Sequence, residues 1–261
     1  IIIVKFLKVF FYYFYLEIKE KLIIASWPQS EFKKNGFETI QDFISPEECE
    51  YFINVANSYK KDKSYMIGDN AWFVNRSEKY ENQDSKVSQL MNLQNLDDKA
   101  NELFSSKKVE KLFLDRINED LYIRSISIQI DKPDTSTKRS WHVDNTAPAS
   151  YKAFIYLTDV LNENNGAYTV IQGTHKKNIR RWINTVLNYL SKKPLTDVNY
   201  FIGSDELGDE FKAKRGTLIM SNQTLFHRGS PFHSEKTRYM MVIYLRRSSD
   251  QDAEFTLGKP S

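Results

Sequence analysis

The chain has 261 residues, 41% hydrophobic and 14% aromatic, which is enough for one large packed domain and too apolar for a disordered chain. Lys and Arg number 37 against 34 Asp and Glu, and a net charge of +3 leaves no electrostatic footprint for nucleic acid as a partner. The single cysteine, Cys49, excludes an internal disulfide and a sulfur-ligated zinc knuckle. The composition therefore suits a reducing compartment such as the cytoplasm, and any metal must be held by histidines and carboxylates.

The first residues, IIIVKFLKVFFYYFYLEIKEKLII, are apolar and aromatic but are broken by Lys5, Lys8, Glu17 and Lys19. A spanning helix needs about 20 mainly apolar residues, and the uninterrupted run 9–16 is far short of that. Residues 1–24 are expected to pack on the domain as a helix or strand, with a membrane anchor as the lesser alternative. The chain starts at Ile1 rather than a methionine, which leaves open whether its N-terminus is complete. A short strand is expected at 37–40, followed by a helix whose start is well marked. Ser45 is a good N-cap, Pro46 suits the first helical position, and Glu48 closes a capping box. Cys49, Phe52, Ile53 and Ala56 then make an apolar stripe. Residues from about 58 to 108, rich in Asn, Asp, Ser and Lys, read as helix and loop.

Strand signals dominate afterwards. In LYIRSISIQI, Ile126, Ile128 and Ile130 alternate with Ser125, Ser127 and Gln129, so one face is apolar and the other polar, as the lining of a cavity would be. Further strands are expected at 153–160, 167–171, 217–221, 224–228 and 239–246, separated by turn text such as NENNG and RGSP. Many short strands behind a helical preface predict a mainly β jelly roll with flanking helices. One amphipathic, basic helix interrupts them in KKNIRRWINTVLNYLSKK. Its apolar stripe is Ile179, Trp182, Ile183, Val186, Leu187 and Leu190; its basic residues read as a solvated face, with a lid that favours acidic substrates through Arg180 and Arg181 as the alternative.

The residues that carry chemistry are His142 and Asp144 in WHVDN, His227 in TLFHRGSPFHSEKTR, and Arg238 eleven positions later. Two imidazoles and one carboxylate on one face of a metal leave positions open for a co-substrate and oxygen, the arrangement of non-haem Fe(II) oxygenases. A His-x-Asp pair alone is a weak signal, so its context carries the weight. His175, in the turn QGTH, reads as a residue that fixes that turn, His233 as a solvated loop residue, and Trp141 as core or wall.

Four segments in the same order, GFETIQDFISPEEC, WHVDN, LTDVLNENNGAYTVIQGTHKKN and KRGTLIMSNQTLFHRGSPFHSEKTR, resemble the phytanoyl-CoA dioxygenase family of Fe(II) and 2-oxoglutarate dependent oxygenases. The resemblance extends from Phe32 to Arg246. It implies a double-stranded β-helix (cupin-like jelly roll) over residues 31–250, with 1–30 as an N-terminal segment and 251–261 as a tail. It further implies that His142, Asp144 and His227 are the iron ligands and catalytic residues. Arg238 would pair with the distal carboxylate of 2-oxoglutarate, for which a planar, permanently charged guanidinium is chemically apt. Ser127 and Gln129 would be lesser co-substrate contacts. The implied activity is hydroxylation of a small molecule using O2, with release of succinate and CO2 and with ascorbate as an auxiliary reductant. Asp144 favours hydroxylation, since related halogenases lack this carboxylate.

The chain departs from the family pattern at Gln172, where a proline is usual before GTH, and at Ile155, where the name-giving enzyme's pattern has tryptophan. Both weaken phytanoyl-CoA itself as substrate. The competing reading is a non-catalytic jelly-roll binding protein. A zinc hydrolase is disfavoured by the absence of an HExxH helix. Neither the substrate nor the oligomeric state can be read from the residues.

Overall fold

The computed structural model describes residues 2–75, 87–132, 141–144, 150–163, 165–176, 179–198, 208–230, 232, 235–250, 257 and 259–260, with side chains described from Leu7 onward. His233 lies outside these residues. The strands, in chain order, are β1 (Phe37–Ile40), β2 (Tyr65–Ile67), β3 (Ala71–Asn75), β4 (Val87–Met91), β5 (Leu121–Asp131), β6 (Tyr151–Tyr156), β7 (Tyr168–Ile171), β8 (Asp209–Glu210), β9 (Leu218–Asn222), β10 (Phe226–Gly229) and β11 (Arg238–Arg247). They form two antiparallel sheets, a large one in the order β1-β9-β6-β11-β5-β4-β3-β2 and a small one in the order β10-β7-β8. The expected jelly roll is the fold observed.

The alternation in β5 explains how the layers are arranged. Side chains of a strand point alternately to the two faces of its sheet. Ile126, Ile128 and Ile130 are fully buried on one face, in the main core that also takes Cys49, Phe52 and Phe113 from helices outside the sheet. Gln129 and Asp131, on the other face, line a cleft between the two sheets. β11 and β6 repeat the pattern, with Met241, Ile243, Ala153 and Ile155 in the main core and Arg238, Met240, Lys152 and Phe154 facing the cleft. Below the cleft mouth the space between the sheets is filled by an apolar cluster that includes Tyr156, Val170, Ile219 and Val242. The polar lining is therefore confined to one end of the barrel.

The helices are α1 (Ile2–Ser26), α2 (Glu31–Asn35), α3 (Pro46–Tyr59), α4 (Asp98–Ser105), α5 (Lys108–Ile117) and α6 (Ile179–Leu190). α3 starts as expected: Ser45 Oγ accepts from the Glu48 amide and the Glu48 carboxylate accepts from the Ser45 amide. Its Cys49, Phe52 and Ala56 are buried while Ile53 is only partly so. Burial pushes the Cys49 thiol up from its ordinary 9.0 to about 11. Such a thiol should resist alkylation near neutral pH at any rate faster than global unfolding. Because the folded value is the higher one, its stabilising contribution is complete below the ordinary thiol pKa and is lost as pH rises toward about 11. Labelling of the native protein at the rate of an unstructured peptide would contradict this.

Two sequence expectations are corrected. The stretch 58–108 contains β2, β3 and β4 as well as helix, and these strands extend the large sheet beyond β5. All five residues of β3 and of β4 are buried, so neither shows the polar-apolar alternation of a half-exposed strand. The apolar stripe of α6 is not its packing face either. Trp182 and Val186 are buried, but Ile179, Ile183, Leu187 and Leu190 are exposed while Arg181, Asn184, Thr185 and Asn188 are buried. α6 packs beside α1, with Phe10 edge-on to Trp182 at 4.2 Å between ring centroids. Residues 2–26 are thus one helix, and no helix among the described residues is long and apolar enough to cross a membrane.

Candidate metal centre

His142 and His227 are 85 positions apart by their numbers, yet they are direct cross-strand partners. The His142 amide donates to the His227 carbonyl at 3.1 Å and the His227 amide returns the bond at 3.0 Å. This is the doubly bonded pair of an antiparallel ladder, and both side chains project to the same face. Their ring centroids lie 4.4 Å apart. Asp144, two residues beyond His142, is on that face too, and its amide donates to the Gln223 carbonyl at 3.0 Å. The HxD segment is in effect a further short strand beside β10. That register, not proximity along the chain, brings the triad together.

The donor atoms converge. Asp144 Oδ1 is 3.7 Å from His142 Nε2 and 3.6 Å from His227 Nε2, and one ligand atom from each residue lies within 4.8 Å of the others. An octahedral edge between ligands at about 2.1 Å from a metal is roughly 3 Å long, so a slight contraction of this cluster would seat one ion. His227 Nδ1 is 2.9 Å from the Leu225 carbonyl, which can only accept. The proton therefore resides on Nδ1, and Nε2 offers its lone pair to the cleft.

Lys152 completes the local electrostatics, with Nζ 2.5 Å from Asp144 Oδ2. Burial pushes the Asp144 carboxyl up, but the Lys152 ammonium beside it is the chief counterweight, and the group is held well below the usual carboxylate range. Lys152 occupies one carboxylate oxygen and leaves the other facing the imidazoles, which suits single-oxygen ligation. An ionised carboxylate and two imidazoles, all opening on one cleft, are donors that fit a divalent iron ion.

Arg238 lies in the wall of the same cleft. Its cross-strand partner on β5 is Asp131, whose Oδ2 accepts from Arg238 Nε at 2.8 Å and from Nη2 at 2.6 Å. Gln129 Nε2 in turn donates to Asp131 at 3.0 Å. These bonds fix the plane of the guanidinium and leave its Nη1 edge toward Gly166. A Cβ added at Gly166 would come within 3.0 Å of Nη1, and its backbone φ of +68° is strained for other residues. The glycine of the NENNG turn thus keeps space clear beside Arg238.

The remaining candidates differ in where they lie. Ser127 is fully buried with Oγ 3.5 Å from the Val242 carbonyl, and it is not among the residues lining the cleft; Gln129 is. His175 Nε2 is 3.1 Å from the Lys33 carbonyl and its ring stacks on Trp27, so it ties the QGTH turn to the N-terminal region. Trp141 is core, packed with Val143, Val198 and Phe226 and lying under the Arg228 guanidinium at 4.3 Å. Of the two arginines of the basic helix, Arg180 is exposed, as on a solvated face, and Arg181 is not. Arg181 is buried and donates to the Thr174 and Thr224 carbonyls, both at 2.5 Å, so it braces the turn against the approach to β10. Three residues of the site escape a sequence reading: Lys152, Asp131 and Gly166. Lys152 was detectable as a lone cation in an apolar strand, and Asp131 as the next member of the Ser127 and Gln129 face.

The sequence pattern of the family described as phytanoyl-CoA dioxygenase matches residues 32–240, most of the chain and every member of the site. The chain belongs to the phytanoyl-CoA dioxygenase family. Among solved structures it is similar to HygX from Streptomyces hygroscopicus, crystallised with nickel and 2-oxoglutarate, at 15% identity and a TM-score of 0.57 over 88% of this chain and 92% of that one. It is also similar to the carbocyclase SnoK from nogalamycin biosynthesis, at 15% identity and a TM-score of 0.60 over 82% and 81% of the two chains. The epimerase SnoN of the same biosynthesis gives 12% identity and a TM-score of 0.58 over 88% and 84%. At such identities the likeness is one of fold. No curated protein sequence matches the chain.

Proposed function

We propose that this phytanoyl-CoA dioxygenase family member is a non-haem iron and 2-oxoglutarate dependent hydroxylase of a small molecule. The observation that carries this reading is the convergence of His142, Asp144 and His227 on the cleft that Arg238 also lines. Iron(II) held there would supply the activation of dioxygen, coupled to oxidative decarboxylation of 2-oxoglutarate with release of succinate and CO2. The chain's own residues supply the setting. The two imidazoles and Asp144 hold the ion, with His227 aimed by the Leu225 carbonyl and Asp144 kept ionised by Lys152. Arg238, its plane fixed by Asp131, presents Nη1 to the distal carboxylate of 2-oxoglutarate. Gly166 leaves that edge uncovered, and Phe154, Tyr168 and Met240 shield the cleft wall from water.

The carbocyclase and epimerase among the similar structures show that this fold serves several outcomes. The complete carboxylate-bearing triad speaks against halogenation, and hydroxylation is the outcome proposed here. Calorimetry tests the co-substrate assignment. Arg238→Met should weaken 2-oxoglutarate binding to the iron-loaded protein on the order of a hundredfold, since a charged hydrogen-bonding partner is worth about 1.5–3 kcal/mol, while Fe(II) binding stays unchanged. Unaltered 2-oxoglutarate affinity would remove Arg238 from the site.

A further inference from the structure

α1 and α6 are amphipathic in the wrong sense for helices that face only water. At 3.6 residues per turn, Leu7, Phe11, Phe14, Tyr15, Ile18 and Leu22 of α1 fall in one stripe roughly 100° wide. All are solvent-exposed, from 39% for Phe14 to 66% for Leu22. Both acidic residues of α1 point the other way, with Glu17 at 9% and Glu20 at 2% exposure. Lys8 and Lys19 flank one edge of the stripe and Lys21 the other, and all three are exposed. α6 repeats the inversion: Ile179, Ile183, Leu187 and Leu190 share an exposed stripe, Arg180 borders it, and the helix has no acidic residue. The helices are joined by Trp182, whose Nε1 donates to the Phe10 carbonyl at 3.1 Å, so the stripes lie on adjoining helices.

We infer that this outer face of α1 and α6 is a docking surface for an anionic lipid bilayer. Among the described side chains, every exposed charge on the two helices is positive. A second copy of the chain would bring like charges together, whereas an anionic headgroup layer complements them. Phe, Tyr and aliphatic residues bordered by lysines are the composition of a helix lying in the interface plane. No described helix is long and apolar enough to cross a membrane, and an exposed apolar stripe edged by lysines suits the surface of the bilayer. The acids face inward because Glu20 is spent on Arg247 of the barrel, with Nη1 to Oε1 at 2.6 Å, which fixes the rotation of α1.

Sedimentation of the full chain with vesicles decides the matter. The protein should pellet with vesicles of phosphatidylcholine mixed with phosphatidylserine, far less with phosphatidylcholine alone, and less again as salt is raised. Lys8→Gln, Lys19→Gln and Lys21→Gln should each weaken binding about fivefold, and on the order of a hundredfold together. A Phe11→Ser/Ile18→Ser/Leu22→Ser variant should lose binding and keep the wild-type melting curve, because these side chains are exposed. Failure to pellet with either vesicle at low salt would overturn the inference, as would binding indifferent to both sets of substitutions. Self-association abolished by the serine variant, without vesicle binding, would instead assign the face to a second copy.

Discussion

Asp144→Ala should bind Fe(II) on the order of a hundredfold or more weakly than the wild type, and should yield no hydroxylated product. Two effects act in the same direction. The substitution removes one of three converging donors, and it strips Lys152 of the carboxylate that its ammonium approaches to 2.5 Å. An uncompensated cation then stands at the mouth of a site meant for another cation. The second effect can be separated from the first. Asp144→Ala/Lys152→Met should recover part of the iron affinity lost in the single variant, although not turnover, as equilibrium dialysis against Fe(II) under anaerobic conditions would show. A double variant no better than the single one would mean that Lys152 has no electrostatic hold on the site. Retained hydroxylation in either would refute Asp144 as a ligand.

The largest expected effect on stability lies on the far side of the barrel. Arg247, near the end of β11, donates to both oxygens of Glu20 on α1, at 2.6 and 2.9 Å, and its Nε is paired with Glu119. Glu119 also accepts from Trp27 Nε1 at 2.7 Å, and Tyr151 closes the cluster at 3.2 Å from Arg247 Nη2. Arg247, Glu20, Trp27 and Tyr151 are all nearly inaccessible. Arg247→Met would leave two carboxylates facing each other without a cation, and breaking a buried pair in this way costs about 3–5 kcal/mol. For a chain of this size that corresponds to a fall in Tm on the order of 10 °C. Glu20→Ala should cost less, because Glu119 still compensates the guanidinium. Thermal unfolding followed by circular dichroism checks the order; an Arg247→Met protein as stable as wild type would show that the cluster contributes no net stabilisation.

The same cluster sets a pH dependence. Burial pushes the Glu119 carboxyl up, and the pull of Arg247 does not fully offset it. A carboxyl raised on folding contributes stability that is complete below its ordinary value and is lost as pH rises through the raised one. Stability should therefore decline slightly from mildly acidic toward neutral pH.

Much of the chemistry was legible in the residues because it depends on identities at fixed positions. His142, Asp144, His227 and Arg238 could be read off as candidates before any geometry, and the polar face of β5 pointed to a cavity. What the sequence did not reveal depends on partners. Lys152 and Asp131 matter through Asp144 and Arg238, which lie on other strands, and a single strand does not disclose its neighbours. β3 and β4 are buried on both faces, so the alternation that marks β5 is missing there. For α6, a stripe of Ile and Leu is ordinarily a packing face, yet the helix buries Arg181, Asn184 and Asn188 because they reach backbone carbonyls: those of Thr174 and Thr224 for Arg181, and that of Asp197 for both asparagines. With these N–H groups reaching carbonyls, the polar side chains turn inward and the aliphatic residues are left outside.

Succinate release is the most direct test of the central assignment. Purified protein supplied with Fe(II), ascorbate, O2 and 2-oxoglutarate should form succinate slowly even without a substrate, and should stop when Fe(II) is chelated or when His227 is replaced by alanine. Absence of both iron binding and succinate, with or without candidate small molecules, would contradict the assignment and leave a jelly roll that uses its cleft for binding alone.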